Sequence, residues 1–177
     1  RRQMEGEGGL GDLMVAEERA SDFPAPKPPD WIPEPVAWAS PEAVIYDNGP
    51  LVTHPGGGAG GADASALQTA LGMDTYGAGA QFSAGNRVAD DFTVTDSGGW
   101  AIETITFFTY QTGSGTTSTI TGLNLRIWDG PPNAGGGVVW GDTSTNIMAS
   151  TTWSNDYRVL DTALTNADRP IMAVVGT

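Results

Sequence analysis

The clearest order in the chain is a two-residue alternation. Leu123, Leu125 and Ile127 put apolar side chains on one side of an extended segment, while Asn124, Arg126 and Trp128 point the other way. Val88, Phe92 and Val94 repeat the pattern, with Asp90 on the apolar side and Asp91 outside. Short β-branched and aromatic runs alternate with Gly, Asn, Asp, Ser and Thr turns at a spacing of roughly 8–15 residues, as in two-layer or barrel folds. These runs predict strands at Val44–Asp47, Arg87–Val94, Trp100–Tyr110, Ile120–Trp128, Val138–Trp140, Ile147–Trp153, Arg158–Leu160 and Ile171–Val175. The Trp100–Tyr110 run is apolar on both faces, which predicts a place in mid-sheet or beneath a loop. Helical readings are confined to a turn at Ala64–Leu71, capped by Asp63 or Ser65, and a weak candidate at Asp12–Ala20. The fold class read from this pattern is all-β, an antiparallel β-sandwich.

Proline and charge divide the chain. Residues 1–43 carry Arg1, Arg2, Arg19 and Lys27 against nine acids, 4 − 9 = −5, and seven of the twelve prolines fall between Pro24 and Pro41. Each Pro removes a donor and pushes its predecessor into extended geometry, so this stretch reads as an acidic, Pro-rich tail or linker, or a strap laid over a surface. Trp31 and Trp38 lie within it, and two indoles argue for docking on the folded unit or on a partner. Residues 44–177 form the predicted β-sandwich domain.

Composition narrows the chemistry. The chain has no Cys, which removes disulfides, Cys–zinc sites and thiol catalysis together. Its net charge of −13 repels phosphate backbones, so no nucleic-acid partner is expected. No apolar run has the length of a membrane span. There is also no Asn-x-Ser/Thr acceptor for N-glycosylation.

Few residues carry a chemical suggestion. The single histidine, His54, lacks the nucleophile and carboxylate pattern of a triad and the further ligands of a zinc site, so it reads as a loop residue. The Gly56–Gly61 run lacks the Gly-Lys-Ser/Thr ending of a phosphate loop, and Gly57–Asp63 offers one unit of a calcium-binding roll repeat that needs several; it reads as a flexible loop. Asp90, on the core side of a strand, must be paired, cap a turn or bind a cation. Asp90 and Asp91, with Asp47 and Asn48, form the candidate Ca²⁺ set; the competing reading gives Asp90 protein donors, Arg87 or Arg126 among them. A glycosidase pair would be drawn from Asp90, Asp91, Glu103, Asp129 and Asp142, though adjacent strand residues such as Asp90 and Asp91 face opposite sides. Trp128, Trp140 and Trp153, near strand ends, are the candidate aromatic platform for a sugar; the competing reading is that they fill or cover the core.

Three stretches carry a resemblance: "VADDFTV" (Val88–Val94), "GGWAIETITFFTYQT" (Gly98–Thr112) and "LNLRIWDGPPNAGGGVVWGD" (Leu123–Asp142). In these the chain resembles the jelly-roll-like β-sandwich domains of secreted or surface-anchored bacterial proteins, over about Val44–Val175; "YDNGPLVTHPGGGAGGADAS" (Tyr46–Ser65) fits as well. The resemblance implies a non-catalytic extracellular or cell-surface module for adhesion or carbohydrate binding, with a polysaccharide or another protein chain as partner. It assigns no catalytic residues. It also implies strands beyond Arg169–Ala173, hence a fragment or a sandwich incomplete at the carboxy terminus, whose apolar last strand would be an open edge covered by the strap or by another chain. The two other function classes are a fragment of a secreted hydrolase and an assembly subunit pairing through that edge.

Overall fold

The Leu123–Ile127 alternation forms a strand, and the rest of the architecture can be read outward from it. The computed structural model describes residues 11–17, 44–73, 75–77 and 79–177. The Pro-rich strap with Trp31 and Trp38 lies outside them. The described residues form eight strands, in chain order β1 Gly11–Glu17, β2 Asp63–Leu67, β3 Arg87–Phe92, β4 Ile105–Tyr110, β5 Leu123–Trp128, β6 Val138–Gly141, β7 Met148–Leu160 and β8 Pro170–Gly176. Among the described residues the only helical elements are three short 3-10 turns, and the protein is all-β.

The strands make two four-stranded sheets, ordered β3-β1-β5-β6 and β2-β7-β8-β4. Neither is purely antiparallel, which corrects the expectation. β1 runs parallel to both β3 and β5, and β2 runs parallel to β7; β5–β6, β7–β8 and β4–β8 are antiparallel. An apolar cluster draws Leu123, Leu125 and Ile127 from one sheet and Phe107, Met172 and Val174 from the other. A smaller cluster of Ala62, Ala64, Ala66, Tyr157 and Val159 lies along β2 and β7, and Trp153 touches both.

Several local expectations change, each for a physical reason. The helical turn expected at Ala64–Leu71 is strand β2, with only Thr69–Leu71 coiled. Ala64 and Ala66 are buried on one face and Ser65 and Leu67 on the other, so pairing with β7 overrides the helix preference of alanine. The helix candidate at Asp12–Ala20 is strand β1 over its described residues. Val44–Asp47 is irregular rather than a strand, and of Trp100–Tyr110 only Ile105–Tyr110 pairs, at the end of its sheet rather than the middle. The two runs Ile147–Trp153 and Arg158–Leu160 fuse into one strand, β7, across a bulge between Trp153 and Asp156. The carboxy-terminal apolar run is no open edge: β8 lies between β7 and β4, with Ile171, Met172 and Val174 all buried, as a strand covered on both faces requires.

Candidate functional site

The structure gathers an aromatic surface that the sequence reading did not pick out. Asp90 and Phe92 lie on the half-buried side of β3. The irregular Tyr46–Asn48 segment crosses beside them: Asn48 Nδ2 donates to Asp90 Oδ2 at 3.0 Å, and the Tyr46 hydroxyl donates to the Asp91 carbonyl at 3.1 Å. This anchoring sets the Tyr46 ring 5.6 Å from Phe92 and 6.4 Å from Trp100, while Phe92 and Trp100 stack at 5.5 Å and 11°. Tyr46 is exposed and the other two rings are half-buried. The result is a three-ring cluster, Phe92 resting on the core and Tyr46 exposed, rimmed by Asn48 and Asp90. No pattern in the sequence marks it: Phe92 and Trp100 flank a short turn, while Tyr46 comes from a distant segment.

The three tryptophans proposed from sequence do not converge. Trp140 is paired with Ile127 on β5, whereas Trp128 is paired with Val138, and neighbouring strand residues face opposite ways. Trp128 is half-buried, with the Arg126 guanidinium 6.0 Å from its ring, and Trp140 is exposed at the end of its sheet. Trp153 belongs to the other sheet, packs 5.4 Å from the Tyr157 ring and donates Nε1–H to the Asp156 carbonyl.

The candidate calcium set is partly assembled, and three of its carboxylate oxygens accept donors from the chain. Asp90 Oδ1 accepts the Asp91 N–H and Oδ2 accepts Asn48, while Asp47 Oδ1 accepts the Gly49 N–H at 2.7 Å. Arg126, weighed as a partner of Asp90, instead reaches the Thr143 hydroxyl. Among the described residues no three His, Cys, Asp or Glu side chains stand together as a metal site.

The remaining candidates are dispersed. Glu103 is exposed in the irregular stretch before β4. Asp129 accepts the Gly137 N–H, and Asp142 accepts the N–H and hydroxyl groups of Ser144 and Thr145, which holds its carboxyl well below the usual range. His54 is exposed, bonded to the Thr53 hydroxyl and bridged to Ala64. The glycine run, expected to be loose, is tightly folded. Gly58 donates to Ala62, Ala62 to Ala59, and the Gly56 N–H is held by Asp63 Oδ1 at 2.7 Å.

One ionisable group was missed altogether. Asp156 is fully buried on β7, and no donor completes a well-formed hydrogen bond to either carboxylate oxygen, although the backbone N–H groups of Tyr157 and Ser65 lie near enough to favour its charged form. Burial pushes its carboxyl up to about 6, reinforced by the charge of Asp63 opposite it on β2; the backbone N–H groups of Tyr157 and Ser65 and the Arg158 charge offset only part of this. Arg158, also buried, donates to the Ser65 hydroxyl and to the Ser65 and Tyr76 carbonyls. Beside them Asn155 sits at φ +63°, an uncommon conformation for a residue other than Gly. Bulge, positive φ and a buried carboxyl without a completed hydrogen bond occupy three consecutive positions of the strand.

Comparisons with protein-family models, curated proteins and solved structures found no match to this chain. Among the described residues, no helix is long and apolar enough to cross a membrane.

Proposed function

We propose that the protein is a non-catalytic binding module of an extracellular or cell-surface protein, a jelly-roll-like β-sandwich that holds a polysaccharide against the Tyr46–Phe92–Trp100 surface. The observation that carries this reading is the three-ring patch itself, with an exposed Tyr46 and a rim of amide and carboxylate oxygens. Sugar rings present C–H faces that stack on aromatic faces and hydroxyls that need donors and acceptors at the edge. The patch offers both. Asn48 and Asp90 are fixed to each other, so the rim is organised before a ligand arrives, and binding spends little on ordering side chains. Of the carboxylates weighed for hydrolysis, Glu103 stands exposed outside the strands, and Asp129 and Asp142 accept donors from their own turns. Asp90 holds Asn48, and Asp91 faces the opposite side of β3 from Asp90. This dispersal favours the binding reading over the hydrolytic one.

The test is retention on insoluble cellulose, chitin and xylan, followed by a soluble-glycan array. Tyr46→Ala and Trp100→Ala are each expected to weaken binding about fivefold to tenfold, the worth of one aromatic contact, while Trp128→Ala leaves it unchanged. Tyr46 is the cleaner position because its ring is exposed. Retention insensitive to Tyr46→Ala and Trp100→Ala, or absent on every polysaccharide, overturns the reading.

A further inference from the structure

β6 ends its sheet and presents three consecutive large apolar residues to solvent: Val138 45%, Val139 56% and Trp140 48% exposed. Its backbone hydrogen bonds all go to β5; among the described residues nothing bonds its outer side. The β2 edge, by contrast, is met by Thr53 and His54, whose N–H groups both bond the Ala64 carbonyl. Folded proteins protect edges with Lys, Pro or inward charges, or by keeping them short and bulged. β6 is short and shares a bulge with β5, yet it carries no Lys, no Pro and no charge. Val139 is the bulged residue, since Val138 pairs with Trp128 and Trp140 with Ile127.

Charge selects the occupant. Asp129 and Asp142 bracket the strand: the first holds the N–H of Gly137 just before it, and the second follows Gly141 directly. Asp142 stays ionised because its oxygens accept two N–H groups and two hydroxyls. Antiparallel pairing of β6 with a second copy would bring one copy's Asp142 to the end where the other's Asp129 sits, in a chain of net charge −13. We propose that β6 is a strand-addition site for an extended peptide segment with basic residues at its two ends and β-branched residues between them. The backbone ladder supplies affinity, Trp140 and Val138 pack the central residues, and the two aspartates set the preference for basic ends.

The experiment titrates the full chain against a fluorescent KVTVTVK peptide, its EVTVTVE counterpart, and two N-methylated forms of the first, methylated at positions 2, 4 and 6 or at 3 and 5. A strand added at an edge points alternate N–H groups toward the protein, so one methylated form is expected to bind at least about tenfold more weakly and the other about as well as the parent. The acidic peptide is expected to bind more weakly than the basic one, with the difference shrinking at high salt. Val139→Lys is expected to abolish binding of the parent without altering the circular dichroism spectrum. Equal binding by both methylated forms would show mere charge adhesion, and failure of the parent to bind at about 1 mM would exclude the site; either overturns the proposal. So does a dimer in sedimentation velocity that Val139→Lys dissolves, which would make a second copy the occupant. Polysaccharide retention through Tyr46 is read separately and stands or falls on its own.

Discussion

Replacing Asp156 with Asn should stabilise the protein at neutral pH. The buried carboxyl is raised from its ordinary 3.8 to about 6, so in the folded chain the proton is held more tightly than in the unfolded one. Below about pH 4 both states carry the proton and the group costs the fold little beyond its missing hydrogen bonds. Between about pH 4 and 6 the unfolded chain ionises first, and stability falls as pH rises. Above that window both states are charged, and the penalty is complete: at about 1.36 kcal/mol per pKa unit, the displacement from 3.8 to about 6 is worth about 3 kcal/mol. Asn keeps the shape and cannot ionise. The expectation for Asp156→Asn is a gain approaching 3 kcal/mol at pH 8, or about 6–12 °C in Tm for a domain of this size, shrinking to near zero at about pH 4. That figure is already net of the Tyr157 and Ser65 N–H groups and of the Arg158 attraction, all of which favour the charged carboxyl. Urea unfolding followed by tryptophan fluorescence at pH 4, 5, 6, 7 and 8 measures both profiles, with the urea m-value checked for constancy. A wild-type midpoint that is flat or rising from pH 4 to 7, or an Asn variant less stable than wild type at pH 8, refutes the reasoning.

Two other substitutions probe how the acids and glycines hold the loops. Gly58→Ala would place a Cβ 2.5 Å from the Asp63 carbonyl oxygen and 2.9 Å from that of Ala62, at a buried position; a loss of about 1–3 kcal/mol is expected in thermal melts, and a neutral result would mean the turn before β2 is looser than it looks. Asp142→Ala works in the opposite pH sense to Asp156. Its folded carboxyl lies below its ordinary value, so the stability it contributes is present above about pH 4 and vanishes as the pH falls through the folded value. The variant should therefore unfold earlier than wild type at pH 7 and converge with it in strong acid, in parallel melting curves.

What the sequence disclosed was set by the range of the interactions involved. Period-2 order in Leu123–Ile127 and in Val88–Phe92 is local, and both segments are strands with the expected faces, Asp90 on the half-buried side included. The Asn48–Asp90 contact is partly legible too, since an Asp on the core side of a strand requires a partner and Asn48 is among the residues that could meet it. Three features were not legible. β2 is alanine-rich, and only its parallel partner makes it a strand. The aromatic patch joins residues 46, 92 and 100 through a hydrogen-bonded loop that no periodicity marks. Asp156 was lost because "SND" between two apolar runs reads as a turn, while the chain uses it as a bulge inside one long strand.

Set beside the other aspartates, Asp156 is an exception with a pattern behind it. Asp47, Asp96 and Asp142 each accept the N–H two residues ahead, at Gly49, Gly98 and Ser144. Asp63, Asp129 and Asp161 reach further, to the N–H groups of Gly56, Gly137 and Thr69. In a chain of 25 glycines and a single lysine, these carboxylates satisfy the backbone donors that tight turns leave over, which accounts for much acidity without any ligand. Asp156 has no such task. It stands in strand sequence, followed at position +2 by an arginine on the same face rather than by a glycine or serine, and the nearby Tyr157 and Ser65 N–H groups complete no hydrogen bond to its oxygens. A buried carboxyl that stabilises no turn and weakens the fold at neutral pH is therefore not explained by the scaffold role of its neighbours. If Asp156→Asn gains stability as calculated while leaving polysaccharide and peptide binding intact, the residue is strain that those two surfaces do not need. If the gain in stability comes with loss of either, the bulge at Ser154–Asn155 is coupled to that surface through β7, the strand shared by both apolar clusters.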